Sequence, residues 1–235
     1  MIRWDDPPGP YEVVFSTREG GVSEGPFESL NLGRATADEP TRVDENRRRL
    51  CARVGADPKA LTMNYQHHST DVLKAQAGSR GERGDGLWTD ERGVPLLALA
   101  ADCLPIALAR ANGRRPALAV LHAGWRGLLG GIAQQGVGAL SGGPVSAILG
   151  PGIGPCCYEV GEEVAAPFRR AYGPGIVRDG RLDLWSAAER ALRAAGCKTV
   201  ERFDLCTSCN ADLFFSERRT GRPRGTHGVI GLVTS

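Results

Sequence analysis

Three side chains that can bind a metal, His68, Cys103 and His122, each follow a strand-like run in the sequence. They are far apart along the chain, so only the fold can bring them together. One cysteine and two histidines, with a fourth position left open, form a known catalytic zinc set. The same residues also support metal-free chemistry, with Cys103 as nucleophile, His122 as base and Asp102 beside them. Each has a plain structural role as well: His68 as a solvated loop histidine, Cys103 as a small buried hydrophobe and His122 as a capped core residue. In an extended segment His67 points away from His68, so one member of the pair is expected at the site. The Leu104-Pro105 step predicts a bend just after Cys103 that exposes the thiol under either chemistry.

A second group of sulfurs comprises Cys156-Cys157 and the CxxC of Cys206 and Cys209. Adjacent cysteines chelate one ion poorly and only one CxxC is present, so packing is expected here rather than a structural zinc site. A thioredoxin-like role lacks the flanking strand and helix pattern. The run Gly150-Pro151-Gly152-Ile153-Gly154-Pro155 is neither a P-loop nor a dinucleotide turn, because no Gly-Lys-Ser/Thr follows and prolines flank the glycines. Arg18 and Arg126 adjoin glycine-rich turns and are candidate anion hooks, since a guanidinium offers phosphate a bidentate fork.

These residues need elements to position them. Val13–Ser16 and Leu61–Gln66 read as short strands, and the second delivers His67 and His68. Val94–Ala100, Ala117–Leu121 and Val145–Leu149 are apolar runs bounded by turn residues and read as buried strands. The first two run into Ala101-Asp102-Cys103 and His122-Ala123-Gly124-Trp125-Arg126-Gly127, and the third into the glycine-proline turn. Val43, Leu50 and Val54 share one helix face over Thr41–Val54. Helices are also predicted over Gly127–Leu140, Glu162–Ala171 and Asp183–Ala195, the last ending at Gly196. Ala75–Gly84 is polar and reads as a loop, and Val229–Val233 as a terminal strand. No repeat or linker interrupts the pattern, so a single α/β domain over 1–235 is expected.

Bulk properties narrow the partners. A chain of 235 residues buries enough surface to fold without disulfides. A formal net charge of +2 argues against a nucleic-acid polymer as partner. Seven cysteines, an odd number, do not make a secreted disulfide framework. No signal-peptide h-region opens the chain, and the longest apolar stretch is too short for a bilayer. A reducing cytoplasm is the expected setting, with no membrane partner.

Taken together, the segments resemble the YfiH-type laccase-domain family, once called multicopper polyphenol oxidases. The resemblance rests on Phe15 to Ser23, Ser29 to Gly33, Gln66 to Ser69, Ala101 to Ile106, His122 to Gly127, Gly150 to Gly161 and Phe215 to Arg219. It implies a four-layer α/β/β/α sandwich with mixed sheets, akin to cytotoxic necrotizing factor-like deamidases. It implies zinc on His68, Cys103 and His122, with copper the weaker choice. It also implies phosphorolysis of purine nucleosides (adenosine, inosine, guanosine, methylthioadenosine), with adenosine deamination as an added activity. On this resemblance Cys103, His122, Asp102 and Arg126 serve catalysis, and Arg18, Asn31 and Arg126 hold substrate or phosphate. The alternatives are a Cys–His hydrolase or amidase acting on a peptidoglycan precursor, and a copper polyphenol oxidase. Four histidines are too few for a multicopper cluster, and Met1 and Met63 are the only candidates for a weak axial copper donor. Arg218, Arg219, Arg222 and Arg224 receive no role from the sequence.

Overall fold

A computed structural model describes residues 1–111 and 115–234. Two six-stranded mixed sheets form its centre. The first runs in the order β1 (Ile2–Arg3), β2 (Tyr11–Phe15), β14 (His227–Val233), β7 (Leu96–Ala100), β3 (Thr62–Tyr65) and β5 (Arg80–Arg83). The second runs β13 (Thr199–Arg202), β10 (Val145–Leu149), β8 (Leu104–Arg110), β9 (Leu118–Ala123), β6 (Gly86–Thr89) and β4 (Val72–Lys74). A small hairpin joins β11 (Val177–Arg178) to β12 (Arg181–Leu182).

Alternation along the strands sets the layers. Val13, Phe15, Leu96, Ala98 and Val229 point into a core between the sheets, where they meet Ala107, Ala109, Leu118, Val120 and Ile148. Their neighbours Val14, Leu97, Ile230 and Leu232 face the other way, onto α1 (Pro40–Arg53) and the Leu30–Leu32 segment. On the second sheet Leu104, Ile106, Leu108, Ala119 and Leu121 face outward. They pack against α2 (Trp125–Gly130), α3 (Ile132–Ala139), α4 (Glu162–Tyr172) and α5 (Leu184–Ala194). A period of two, with both faces apolar, is what a sheet covered on both sides requires. The result is the expected α/β/β/α sandwich. Small residues let the sheets approach: a Cβ at Gly231 would lie 2.7 Å from Leu118 Cδ2. The short α6 (Glu217–Thr220) is capped by Ser216, whose hydroxyl accepts from the Arg219 amide.

Three elements differ from the sequence reading. Arg80–Arg83, expected within a loop, is an edge strand parallel to β3. All four of its residues are exposed, so no buried face marks it in the sequence. The bend expected after Cys103 lies just before it, at Asp102 (φ 89°), and Leu104-Pro105 already pairs with β9. The predicted Gly127–Leu140 helix is two helices, broken at Gly131 (φ 101°), which caps the first and opens the second.

Candidate metal centre

His68, Cys103 and His122 converge where strands of both sheets end. His68 follows β3, Cys103 sits between β7 and β8, and His122 is near the end of β9. One donor atom from each lies within 4.8 Å of the others. Cys103 Sγ is 3.8 Å from His68 Nε2. The two imidazoles meet edge to face, with centroids 4.9 Å apart.

Asp85, just before β6, organises this convergence, and the sequence reading missed it. Its Oδ1 accepts from His122 Nδ1 at 2.8 Å and from the His68 amide at 3.0 Å. Its Oδ2 accepts from the His67 amide at 3.1 Å and from the Ser69 amide and hydroxyl at 2.6 and 2.8 Å. His68 adopts a left-handed backbone (φ 64°) that costs a non-glycine residue about 1–2 kcal/mol. The Asp85 bonds offset that cost. Burial would raise the Asp85 pKa, but the bonds from His122, Ser69 and His67 hold it well below the usual carboxylate range. An ionised Asp85 keeps the His122 proton on Nδ1 and leaves Nε2 free as the ligand atom. The bonds run from one residue to partners distant in sequence, so a lone Asp-Gly pair reads only as a turn.

The donor chemistry fits a metal. Burial raises the Cys103 thiol, but the His122 charge and hydrogen bonds from His122 and His68 outweigh it and bring the pKa down to about 6. Burial lowers His122, yet Cys103 and Asp85 raise it to about 9. Gly124 leaves the space: a Cβ there would lie 2.8 Å from His68 Cδ2 and 2.9 Å from Cys103 Sγ.

The trio lines a cleft of about 1190 Å³. Six arginines, Arg34, Arg47, Arg80, Arg218, Arg222 and Arg224, also line it, with Tyr65 and Tyr158. Against them stand the carboxylates of Asp102 and Glu217. Burial of Tyr158, reinforced by the nearby Cys103, pushes its phenol up to about 12, so it remains a hydrogen-bond donor at neutral pH.

Other expected residues are placed differently. Asp102 lines the cleft, and its carboxylate accepts from Thr207 Oγ1 at 2.6 Å and from the Arg218 amide at 2.7 Å. Arg18 and Asn31, expected to hold phosphate or substrate, are not among the cleft residues and make hydrogen bonds within the protein. Arg18 donates to the carbonyls of Glu28 and Ala211 and stacks on Phe215. Asn31 is fully buried and bonds Gly33, Thr36, Asp38 and Thr226, which shapes the loop at the cleft wall. Arg126 stacks on Trp125 and is not among the cleft residues. His67 points outside the cleft, and His227 is buried beside Phe214.

Fold and site together define a class. The chain belongs to the family described as multi-copper polyphenol oxidoreductase laccase, which matches residues 12–233. The family resemblance read from the motifs is thus borne out. A Pseudomonas aeruginosa protein named purine nucleoside phosphorylase is 39% identical, over 94% of this chain and 95% of its own length. Purine nucleoside phosphorylase YlmD of Geobacillus stearothermophilus is 36% identical, over 97% and 91% of the two chains. The crystal structure of YlmD superposes with a TM-score of 0.91 at 33% identity, covering 99% of this chain and 96% of that one. That of a Neisseria meningitidis protein gives 0.89 at 32% identity, covering 100% and 99%. Among the described residues, no helix is long and apolar enough to cross a membrane.

Proposed function

We propose that this protein is a zinc-dependent purine nucleoside phosphorylase, acting on adenosine, inosine, guanosine or methylthioadenosine with phosphate. The observation that carries this reading is an arginine-lined cleft with a three-donor centre in its wall. Relatives along nearly the whole chain bear the name of that activity.

His68, Cys103 and His122 would hold the zinc, which would supply an electrophilic contact to an oxygen of substrate or phosphate. The chain's own residues do the rest. The cleft arginines collect the phosphate dianion and hold it for attack at C1′ of the ribose. Tyr158 donates a hydrogen bond to the nucleoside from the wall. Asp102, pinned by Thr207 and the Arg218 amide, fixes the segment that carries Cys103. Asp85 holds the His122 tautomer. The bond to the purine breaks as the sugar takes cation-like character, and the base takes up the proton the phosphate gives up, giving free base and sugar 1-phosphate. We propose adenosine deamination as a secondary activity of the same cleft, with water adding at C6 of the purine and ammonia leaving to give inosine.

A second reading has a specific observation behind it. Cys103, His122 and Asp85 line up as a thiol hydrolase triad would. His68 Nε2 facing the same sulfur favours the metal, since a triad needs no second imidazole there. Copper polyphenol oxidation has no such support: among the described residues one His₂Cys group is found, and His67 and His227 lie apart from it.

Purified protein given the four nucleosides, with and without phosphate, tests the proposal. Phosphate-dependent release of base and sugar 1-phosphate, lost in Cys103→Ala, is expected. No phosphate-dependent release, or full activity in Cys103→Ala, would overturn it.

A further inference from the structure

A second cluster of donors lies outside the site described above. Cys156, Cys157, Cys206 and Cys209, expected from the sequence to be packing residues, bring their four sulfurs within 4.8 Å of one another. Cys209 Sγ is 3.5 Å from Cys156 Sγ and 3.4 Å from Cys157 Sγ. A zinc ion with Zn–S bonds of about 2.3 Å sets tetrahedral sulfurs about 3.8 Å apart, so small shifts would seat it. We propose that these four thiolates bind a structural zinc ion, distinct from the one at His68, Cys103 and His122.

Local backbone explains how adjacent cysteines can share an ion. In a strand, Cys156 and Cys157 would face opposite ways. Here the amides of Cys157 and Tyr158 both bond the Gly154 carbonyl at 3.0 Å, which coils the segment like a helical turn. Successive side chains then differ by about 100°, and both sulfurs can reach one point. The other pair comes from a second tight turn, closed by the Asn210 amide on the Cys206 carbonyl at 3.1 Å. Backbone bonds between Gly152 and residues Leu205 and Thr207 join the two turns. The Gly154 amide points at Cys206 Sγ at 3.3 Å, the kind of N–H donation that steadies a thiolate.

Packing does not account for the cluster. Cys156 and Cys209 are exposed, whereas a thiol used as a small hydrophobe is buried, as Cys51 and Cys197 are. Arg219 brings a positive charge to the second turn by donating to the carbonyls of Thr207 and Ser208 at 2.6 and 3.1 Å. Sulfur-only tetrahedral surroundings select zinc among the redox-inert ions.

The cluster also has a structural task. Thr207, inside the CxxC, donates to Asp102, which adjoins Cys103. Tyr158, which lines the cleft, follows Cys157 directly. A zinc ion here would clamp one wall of the cleft to the loop that carries its thiolate ligand.

The test uses full-length protein purified under reducing conditions. Cys103→Ala removes the ligand of the first site and leaves this cluster untouched. Cys103→Ala that is folded by circular dichroism is expected to retain one zinc per chain, with an X-ray absorption shell of four sulfurs at about 2.3 Å. Cobalt put in place of zinc should give the intense sulfur-to-metal bands of a tetrathiolate, and Cys209→Ser should weaken them. Folded Cys103→Ala without zinc, or with these cysteines joined in disulfides by mass spectrometry, would overturn the proposal. Because it is read without the first site, the result stands apart from the phosphorylase reading: that reading fails on activity, this one on metal content.

Discussion

Replacing Asp85 by Asn tests whether a single buried carboxylate sets the metal affinity. The two side chains have nearly the same shape, so packing is preserved, but one oxygen becomes an NH₂ donor. Asp85 Oδ2 takes three donors and Oδ1 takes two. The favoured placement therefore leaves the amide oxygen at Oδ2 and turns the NH₂ toward His122 Nδ1 and the His68 amide. His122 can accept from that NH₂ only by moving its own proton to Nε2, the atom needed for the metal. The His68 amide, a donor facing a donor, is left unpaired at a cost of about 1–3 kcal/mol. Loss of a carboxylate behind a ligating histidine lowers metal affinity roughly 10- to 100-fold, or about 1.4–2.7 kcal/mol. Competition with a chelator of known zinc affinity, at fixed pH, measures this at the His68–Cys103–His122 site. Affinity within about threefold of the wild type would refute the claim that Asp85 fixes the His122 tautomer.

Substitutions at three other positions extend the reasoning. Gly124→Ala puts a methyl within 2.9 Å of Cys103 Sγ and His68 Cδ2, so zinc content at that site should fall while circular dichroism stays unchanged. Asp102→Asn should be mild, costing about 1 kcal/mol or less in denaturant melts: its oxygen can keep the Arg218 amide while the rotatable Thr207 hydroxyl accepts from the NH₂. Asp102→Ala loses both bonds and should cost more. His227 is buried neutral, its pKa brought from 6.5 down to about 3 by burial and by the charge of Arg224. The unfolded chain binds that proton below pH 6.5 and the folded one does not, so stability present above 6.5 is lost as pH falls toward 3. Urea melts across that range should show an acid slope approaching about 1.4 kcal/mol per pH unit from this residue, reduced in His227→Leu. Equal slopes for the two proteins would contradict it.

Much of this architecture can be read from the sequence because it obeys local rules. The apolar runs at Val94–Ala100 and Ala117–Leu121 become central strands, and Cys103 and His122, which follow them in sequence, fall at or just beyond strand ends, where donors from different strands can meet. What could not be read depends on distant partners. Asp85 bonds His122 and His68 across the fold, and nothing in its neighbours marks it. Arg18 adjoins a glycine-rich turn and Asn31 comes only with the family resemblance, and both make their hydrogen bonds within the protein. The cleft instead draws its arginines from Arg34, Arg47, Arg80 and the Arg218–Arg224 segment, which no local pattern joins. The edge strand Arg80–Arg83 escapes notice because all four of its residues are exposed.

The most direct measurement is phosphorolysis as a function of occupancy at the His68–Cys103–His122 centre. Protein stripped of metal and then titrated with zinc should regain phosphate-dependent inosine cleavage in proportion to occupancy of that site, while Cys103→Ala stays inactive at every zinc level. Full cleavage by the metal-free protein, or by Cys103→Ala, would contradict the account.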